Sequence, residues 1–211
     1  MQTRTLALAV VVAGATASVA SAQLQPVTID WKVNGQESVV VAPGASVTVV
    51  GYAAWLPSPL VGGFGTALLT ADLLNANLTD TLNYTAPGLG RNPFLSLMPQ
   101  TLLEMPMPGM RMITASTGAI DVAQLPAFIN PLFDPSNPIE LFRYTFTAGA
   151  AGRTVAVGST VLNASLYDFM GMPVNGAPIV DGASITIVPA SGPAALLAVS
   201  GLVAARRRRP R

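Results

Sequence analysis

Four methionines fall within one eight-residue run, Met105-Pro106-Met107-Pro108-Gly109-Met110-Arg111-Met112. Thioether sulfur is a soft ligand suited to Cu(I), so this run is the first candidate for a metal site. The candidate ligands are Met105, Met107, Met110 and Met112. The sequence contains no histidine and no cysteine that could complete the site. We therefore favour an apolar loop in which methionine fills irregular gaps, and we expect neither a metal nor another cofactor.

Isolated carboxylates are the second candidate, for acid–base chemistry. A glycosidase needs two carboxyl groups about 5–10 Å apart, whereas these are scattered, mostly where turns or strand edges are expected. A serine or threonine nucleophile needs a neighbouring base, yet there is no histidine, and Lys32 belongs to no Ser-x-x-Lys pattern. We expect the protein not to be an enzyme. The carboxylates considered are Asp72, Asp80, Glu104, Asp121, Asp134, Glu140 and Asp168.

Three aromatic residues, Trp31, Tyr52 and Trp55, are the candidates for a flat platform that binds sugars. Such residues more often pack in a core or at its rim. Tyr52 and Trp55 are three positions apart, which places them on opposite faces of a regular strand. A shared platform for polysaccharide is therefore not favoured.

The charged residues argue against nucleic acid as a partner. The 211 residues carry a formal net charge of +1, but Arg4 and five C-terminal arginines supply most of the positive charge. Between the two ends, five bases stand against ten acids, a net charge of −5. A domain that binds nucleic acid concentrates basic residues on one face, so we expect no nucleic acid to be bound.

Because there is no cysteine, the fold must be stabilised by burial, without disulfides.

The first 22 residues have the pattern of a secretory signal peptide. Arg4 is followed by an apolar stretch over residues 6–17 and by the small residues Ala20 and Ala22. We expect signal peptidase to cleave after Ala22, which leaves Gln23 as the first residue of an exported protein. An N-terminal membrane anchor is the alternative, and the apolar stretch is short for one.

The last 24 residues have the pattern of a tail directed to a membrane. Residues 194–205 are apolar and uncharged, and Arg206, Arg207, Arg208 and Arg209 follow. A helix of twelve residues rises about 18 Å against a hydrocarbon core of about 30 Å, and residues 188–193 bring the segment closer to a full crossing. Arginines stay on the cytoplasmic side, so the preceding domain is expected to face outward.

The tail resembles the PEP-CTERM sorting domain that exosortases recognise. The matching features are Val188-Pro189, the apolar stretch and the arginine run. That family has a Pro-Glu-Pro core before the helix, whereas Ala190 and Ser191 follow Pro189 here, so the acidic residue is missing. The resemblance implies a transient anchor in the inner membrane and processing near residues 188–191 by an exosortase-like enzyme. A permanent tail anchor is the alternative.

The middle of the chain, residues 23–187, predicts an all-β domain. Alternating segments are separated by frequent glycine and proline turns, including a hairpin turn at Asn34-Gly35. We predict an antiparallel β-sandwich of about eight strands, flanked by an N-terminal signal helix and a C-terminal transmembrane-type helix, and one short helix near residues 122–129. The clearest predicted strands cover residues 27–33, 38–41, 46–55, 64–74, 139–147 and 183–188, with one or two more within 154–169.

Three segments of this domain resemble cohesin-type and related carbohydrate-binding sandwiches: residues 41–49, residues 141–147 with the Ala-Gly-Ala-Ala-Gly turn that follows, and residues 181–187. The resemblance implies a sandwich fold, and a fold alone does not define a function. We expect a non-enzymatic surface or extracellular-matrix protein of the cell envelope that is sorted through its tail. The alternative is an exported module that binds polysaccharide or a protein partner.

Overall fold

The computed structural model describes residues 24–189, which form fifteen strands and a single-turn 3₁₀ helix at Pro93–Leu95. The all-β prediction is confirmed. The strands are β1 (Gln25–Val33), β2 (Ser38–Val41), β3 (Ser46–Trp55), β4 (Gly63–Leu69), β5 (Ala71–Leu74), β6 (Thr81–Asn83), β7 (Gly90–Arg91), β8 (Leu102–Met107), β9 (Met110–Ala115), β10 (Ile120–Ala123), β11 (Ile139–Thr147), β12 (Arg153–Gly158), β13 (Val161–Tyr167), β14 (Pro173–Asp181) and β15 (Ala183–Ile187).

The strands form two sheets with one core between them. The larger sheet has the order β10-β4-β13-β14-β1-β3-β11-β6, with β7 also paired to β11. The smaller sheet has the order β2-β15-β12-β5-β9-β8. The prediction of a purely antiparallel sandwich is wrong at two pairs, because β1 and β14 are parallel and so are β2 and β15. Both departures have one cause: the segments β1–β2 and β14–β15 run side by side as they cross from the larger sheet to the smaller.

The core is built from alternating inward residues of the long strands. In β1 the residues Val27, Ile29, Trp31 and Val33 are all fully buried. The predicted strand 46–55 matches the bounds of β3, and the predicted strand 139–147 matches those of β11. A β-bulge lies between Glu140 and Phe142 in β11. Because the bulge shifts the alternation by one residue, the aliphatic start of β11 and its later aromatic residues all face the core.

The turn at Asn34-Gly35 forms as predicted, but the hairpin does not. Asn34 and Gly35 have φ values of 49° and 78°, the left-handed pair that this dipeptide favours. Only a single bridge between Val33 and Gln36 closes the turn. The chain then leaves the larger sheet, and β2 pairs with β15 in the smaller one.

Three further predictions need correction. The helix near residues 122–129 is wrong: β10 occupies Ile120–Ala123, and the chain beyond it forms turns without a helix. The single strand over residues 64–74 is two strands in different sheets, separated at Thr70. The estimate of about eight strands is too low, because very short strands such as β6 and β7, and strands that contain proline, have weak sequence signals.

Candidate binding surface

Each candidate carboxylate is engaged by another group, and only Asp80 and Glu104 among them are joined, through Arg111, which binds the Glu104 carboxylate and the Asp80 carbonyl. No three of them lie close enough to hold a metal ion among residues 24–189. Lys32 forms an ion pair with Asp30 at 3.0 Å, and this pairing raises the pKa of Lys32, so its amine stays protonated and cannot accept a proton from a nucleophile. The partners of the carboxylates are Thr70 and Thr160 for Asp72, Arg153 for Asp80, Arg111 for Glu104, Thr66 for Asp121, the Ser136 amide for Asp134, Arg143 for Glu140, and the Met170 and Met172 amides for Asp168.

The aromatic platform for sugars does not form. Trp31 is fully buried in the core. Trp55 packs against the core from the inner face of β3, whereas Tyr52 alternates to the outer face. The outer face beside Tyr52 carries Asp30 and Glu140 as its cross-strand neighbours.

The methionine run forms a β-hairpin, so its interpretation as a loop is wrong. Strands β8 and β9 pair antiparallel across residues 108–109. Gly109 has a φ of 72°, a conformation that glycine adopts without strain. Proline in the turn and on β8, the last strand of the smaller sheet, is compatible with an edge position. Two prolines in eight residues are typical of a loop, and this explains why sequence reasoning missed the hairpin.

Three loops at one end of the sandwich expose a cluster of large apolar side chains. We call residues 56–62, 124–138 and 168–172 the apolar loops. They share one end because β3 ends there, β4 and β14 begin there, and β13 ends beside the start of β4. Phe128, Phe169 and Met170 are 71%, 72% and 80% exposed. The other exposed large residues of the apolar loops are Leu56, Leu60, Leu125, Ile129, Leu132 and Met172.

Polar side chains order two of the three apolar loops. The Gln124 side chain is 1% exposed; its amide nitrogen donates to the carbonyls of Phe64 and Asp134, at 2.9 and 3.1 Å. Its amide oxygen accepts from the Asp134 amide at 3.1 Å. Asp168 accepts two backbone N–H groups, from Met170 and Met172, each at 2.8 Å. These bonds order the backbone of two loops whose apolar side chains remain exposed.

Glycines let the apolar loops approach one another closely. A Cβ at Gly171 would lie 2.1 Å from the Phe128 ring, and one at Gly63 would lie 2.4 Å from the Phe133 ring. The Gly62 amide donates to the Tyr167 carbonyl at 2.6 Å. A cavity of about 340 Å³ lies between the loops, lined by both phenylalanine rings. The loops are therefore a packed unit.

This surface is not apparent from the sequence pattern, because residues 122–129 are predicted to form a helix. A signal for it exists: prolines at 126, 131, 135 and 138 interrupt both strand and helix, while Phe128, Ile129, Leu132 and Phe133 lie between them. A segment that forms neither a helix nor a strand lacks the regular alternation that directs apolar side chains into the core, so these side chains can remain exposed. Such a segment is a candidate for a surface that binds a partner.

A larger groove lies at the opposite end of the sandwich. Its volume is about 860 Å³, and its apolar wall includes Leu78, Met107 and Pro108. Both guanidinium groups on its floor are already paired, Arg111 with Glu104 and Arg153 with Asp80. The groove therefore has no free charge to select a ligand, and it exposes fewer large apolar side chains than the apolar loops.

No family model matches this chain, and no curated protein matches it. The chain is similar in structure to cohesin modules. The sixth cohesin of scaffoldin B from Acetivibrio cellulolyticus is 15% identical with a TM-score of 0.42, and covers 78% of this chain and 99% of its own. CaCohA2 from Clostridium acetobutylicum is 16% identical with a TM-score of 0.43, and the match covers 81% of this chain and 95% of CaCohA2. A non-cellulosomal cohesin from Archaeoglobus fulgidus is 10% identical with a TM-score of 0.39, and the match covers 81% of this chain and 95% of that cohesin.

Cohesin modules are the type of sandwich that the sequence resembles. Identities and TM-scores at this level describe a distant likeness of fold, and the function of this chain has to be argued from its own residues. The three segments that carry the sequence resemblance, residues 41–49, 141–147 and 181–187, lie mostly in strands β3, β11 and β15. They are strand-forming segments, and none of them belongs to the apolar loops.

The predicted processing segments lie almost wholly outside the described residues. The signal-peptide positions Ala20, Ala22 and Gln23 precede them, and Ala190, Ser191 and the arginines 206–209 follow them. Val188 and Pro189 are described, and the Val188 amide donates to the Val41 carbonyl at 2.9 Å. The tail thus leaves the sandwich beside β2. Across residues 24–189, helices of the length and apolarity that a membrane crossing requires are not found.

Proposed function

We propose that this chain is an exported, non-enzymatic binding module that holds a protein partner on the apolar loops. The observation that carries the proposal is the cluster of nine large, exposed apolar side chains on three loops, two of which are ordered by hydrogen bonds to the side chains of Gln124 and Asp168. An ordered surface loses little conformational entropy on binding. Large exposed apolar patches on soluble proteins mark sites of interaction.

The chemistry of the apolar loops favours protein over polysaccharide. Asp134 and Asp168 are the only ionisable residues in the three loops, and each is bound to backbone amides. Phenylalanine and methionine are enriched in the centres of protein interfaces, where charged residues are depleted. A polysaccharide site needs polar side chains directed at hydroxyl groups, and the exposed tips of these loops are apolar.

The position of the apolar loops suits display away from an anchor. The described chain ends at Pro189, beside β2, whereas the apolar loops lie at the other end of the strands. The nine residues of β1 alone cover about 30 Å of this length, at 3.3 Å per residue. A module held by its tail would therefore present the apolar loops outward, toward a partner.

A photo-crosslinking amino acid placed at Phe128 or Phe169 in the producing cell tests the proposal. We expect each position to give a discrete protein adduct. The matched control is the same amino acid at Val40, which is 68% exposed on the smaller sheet, and it should give no such adduct. Adding Leu132→Ser and Met170→Ser should lower the adduct yield from position 128 at least about tenfold, since a few central contacts dominate most interfaces.

Equal adducts from Val40 and Phe128, adducts with lipid only, or no adduct at all would contradict a partner on the apolar loops. The last outcome favours a component of the envelope matrix without a saturable ligand. A protein adduct from Phe128 that is unchanged by the two serine substitutions would show that the contact is incidental.

Export and sorting of the chain are proposed from its ends. The pattern of residues 1–22 supports removal by signal peptidase after Ala22. The pattern of residues 188–211 supports transient anchoring in the inner membrane and processing by an exosortase-like enzyme, with delivery to the cell surface or the medium. We expect mass spectrometry of the mature protein to find a C-terminus near residues 188–191. Recovery of peptides that contain Arg206–Arg209 from surface material would instead indicate a permanent anchor.

A further inference from the structure

The hairpin β8–β9 places the methionines of the run on one face. The register pairs Met105 with Met112 and Met107 with Met110. Residues directly opposite in an antiparallel pair share a face, and residues two apart on a strand share a face. The four side chains therefore start from the corners of a rectangle of about 5 by 7 Å.

This methionine face is directed away from the core. The opposite face of the hairpin carries the buried Ile113 and the ion pair between Glu104 and Arg111. Met105 and Met107 are 47% and 49% exposed, and Met110 and Met112 are half-buried. Within residues 24–189 the core does not use these side chains, so filling of core gaps does not explain why four of them are adjacent.

The backbone that carries the methionine face is held firmly. The Asn75 amide donates to the Gly109 carbonyl at 2.7 Å, which fixes the turn. Arg111 binds Glu104 and the Asp80 carbonyl from the other face. Strand β9 also pairs with β5. The Cα positions are thus preformed, while the unbranched methionine side chains can adjust their sulfur positions.

We propose that the methionine face is a binding site for Cu(I). Thioethers are soft ligands that select Cu(I) over hard cations such as calcium. The chain has no cysteine and no histidine, so no stronger soft ligand competes within it. Asp72 is the cross-strand neighbour of Met112 on β5, and its carboxylate adds a nearby negative charge that favours a cation. Thioethers do not take up protons in the physiological range, so the site stays competent when the pH falls.

Anaerobic titration of the purified protein with Cu(I), in competition with a chromophoric chelator, tests the site. We expect one equivalent to bind with a Kd below about 1 μM. Replacing Met105, Met107, Met110 and Met112 with leucine should weaken binding at least about a hundredfold, while the volume-conserving change leaves the fold intact. The matched control is Met98→Leu, which changes an exposed methionine outside both the hairpin and the apolar loops, and it should bind as the native protein does.

Two further measurements test whether the ligands are the thioethers. The affinity should change less than about tenfold between pH 7 and pH 5, because no ligand of the site titrates there. X-ray absorption of the copper complex should show sulfur neighbours only. Absence of binding tighter than about 1 μM, retention of binding in the four-leucine variant, or a first shell of oxygen would each overturn the proposal.

Discussion

Replacing Asp80 with alanine is expected to lower the free energy of unfolding by about 3–5 kcal/mol, the cost of removing one partner from a buried ion pair. Asp80 is 1% exposed, and its carboxylate is paired with the guanidinium of Arg153. The substitution leaves that largely buried guanidinium without its counter-ion, and this uncompensated charge is the main source of the loss.

The carboxylate of Asp80 also accepts two backbone N–H groups. One comes from Gly149 and the other from Asn77, both at 2.8 Å. The Asp80 carbonyl accepts a hydrogen bond from Arg111. One residue therefore joins the turn before β6, the turn before β12 and the hairpin β8–β9. Buried backbone groups without a partner are costly, so the loss should lie toward the upper end of that range.

Equilibrium denaturation of the variant measures this loss, with Glu37→Ala as the matched control. Glu37 contacts Lys32 at 3.5 Å and its side chain is 75% exposed. An exposed pair of this kind contributes about 0–1 kcal/mol, so the control should stay within that range. A loss below about 1 kcal/mol for Asp80→Ala would show that the buried cluster does not stabilise the domain as described.

Asp80 illustrates what a single sequence reveals about such a site. Asp80 accepts a hydrogen bond from the Asn77 amide, three residues away, as expected for an acidic residue in a turn. Gly149 and Arg153 are 69 and 73 residues away. Nothing in the spacing of the sequence indicates that pairing, because it depends on how the two sheets stack.

Among the strands, too, some are evident from the local sequence and others depend on distant parts of the chain. Strands β3 and β11 could be predicted to the residue, because ten and nine residues of alternating sequence define them. Strand β14 escaped notice because it contains Pro173, Gly176 and Pro178. Its first part pairs with β13 and its later part with β1. Pro178 lies where β13 no longer pairs, so one side of the strand is open and the missing N–H is tolerated there.

For Trp31 the sequence favours the core over a sugar platform only on the usual placement of aromatic residues. Its neighbours in the fold explain why it is buried. A Cβ at Gly51 would lie 3.0 Å from the indole ring, so a glycine on β3 provides the space for the ring. Tyr144 meets the indole edge-on, with ring centroids 6.1 Å apart. The indole N–H donates to the Ser159 hydroxyl at 2.9 Å.

Replacing Trp31 with alanine is expected to lower the free energy of unfolding by about 3–5 kcal/mol, since truncation of a buried tryptophan leaves a cavity. Equilibrium denaturation of the variant measures this loss.

Burial raises the pKa of Tyr144, and the nearby Asp72 carboxylate raises it further, so its phenol stays neutral at physiological pH. The Tyr144 hydroxyl has no hydrogen-bond partner among the described residues. Tyr144→Phe, measured by the same denaturation, should therefore change stability by less than about 1 kcal/mol. A mild effect of Trp31→Ala, or a loss from Tyr144→Phe as large as that from Trp31→Ala, would contradict a core centred on the indole.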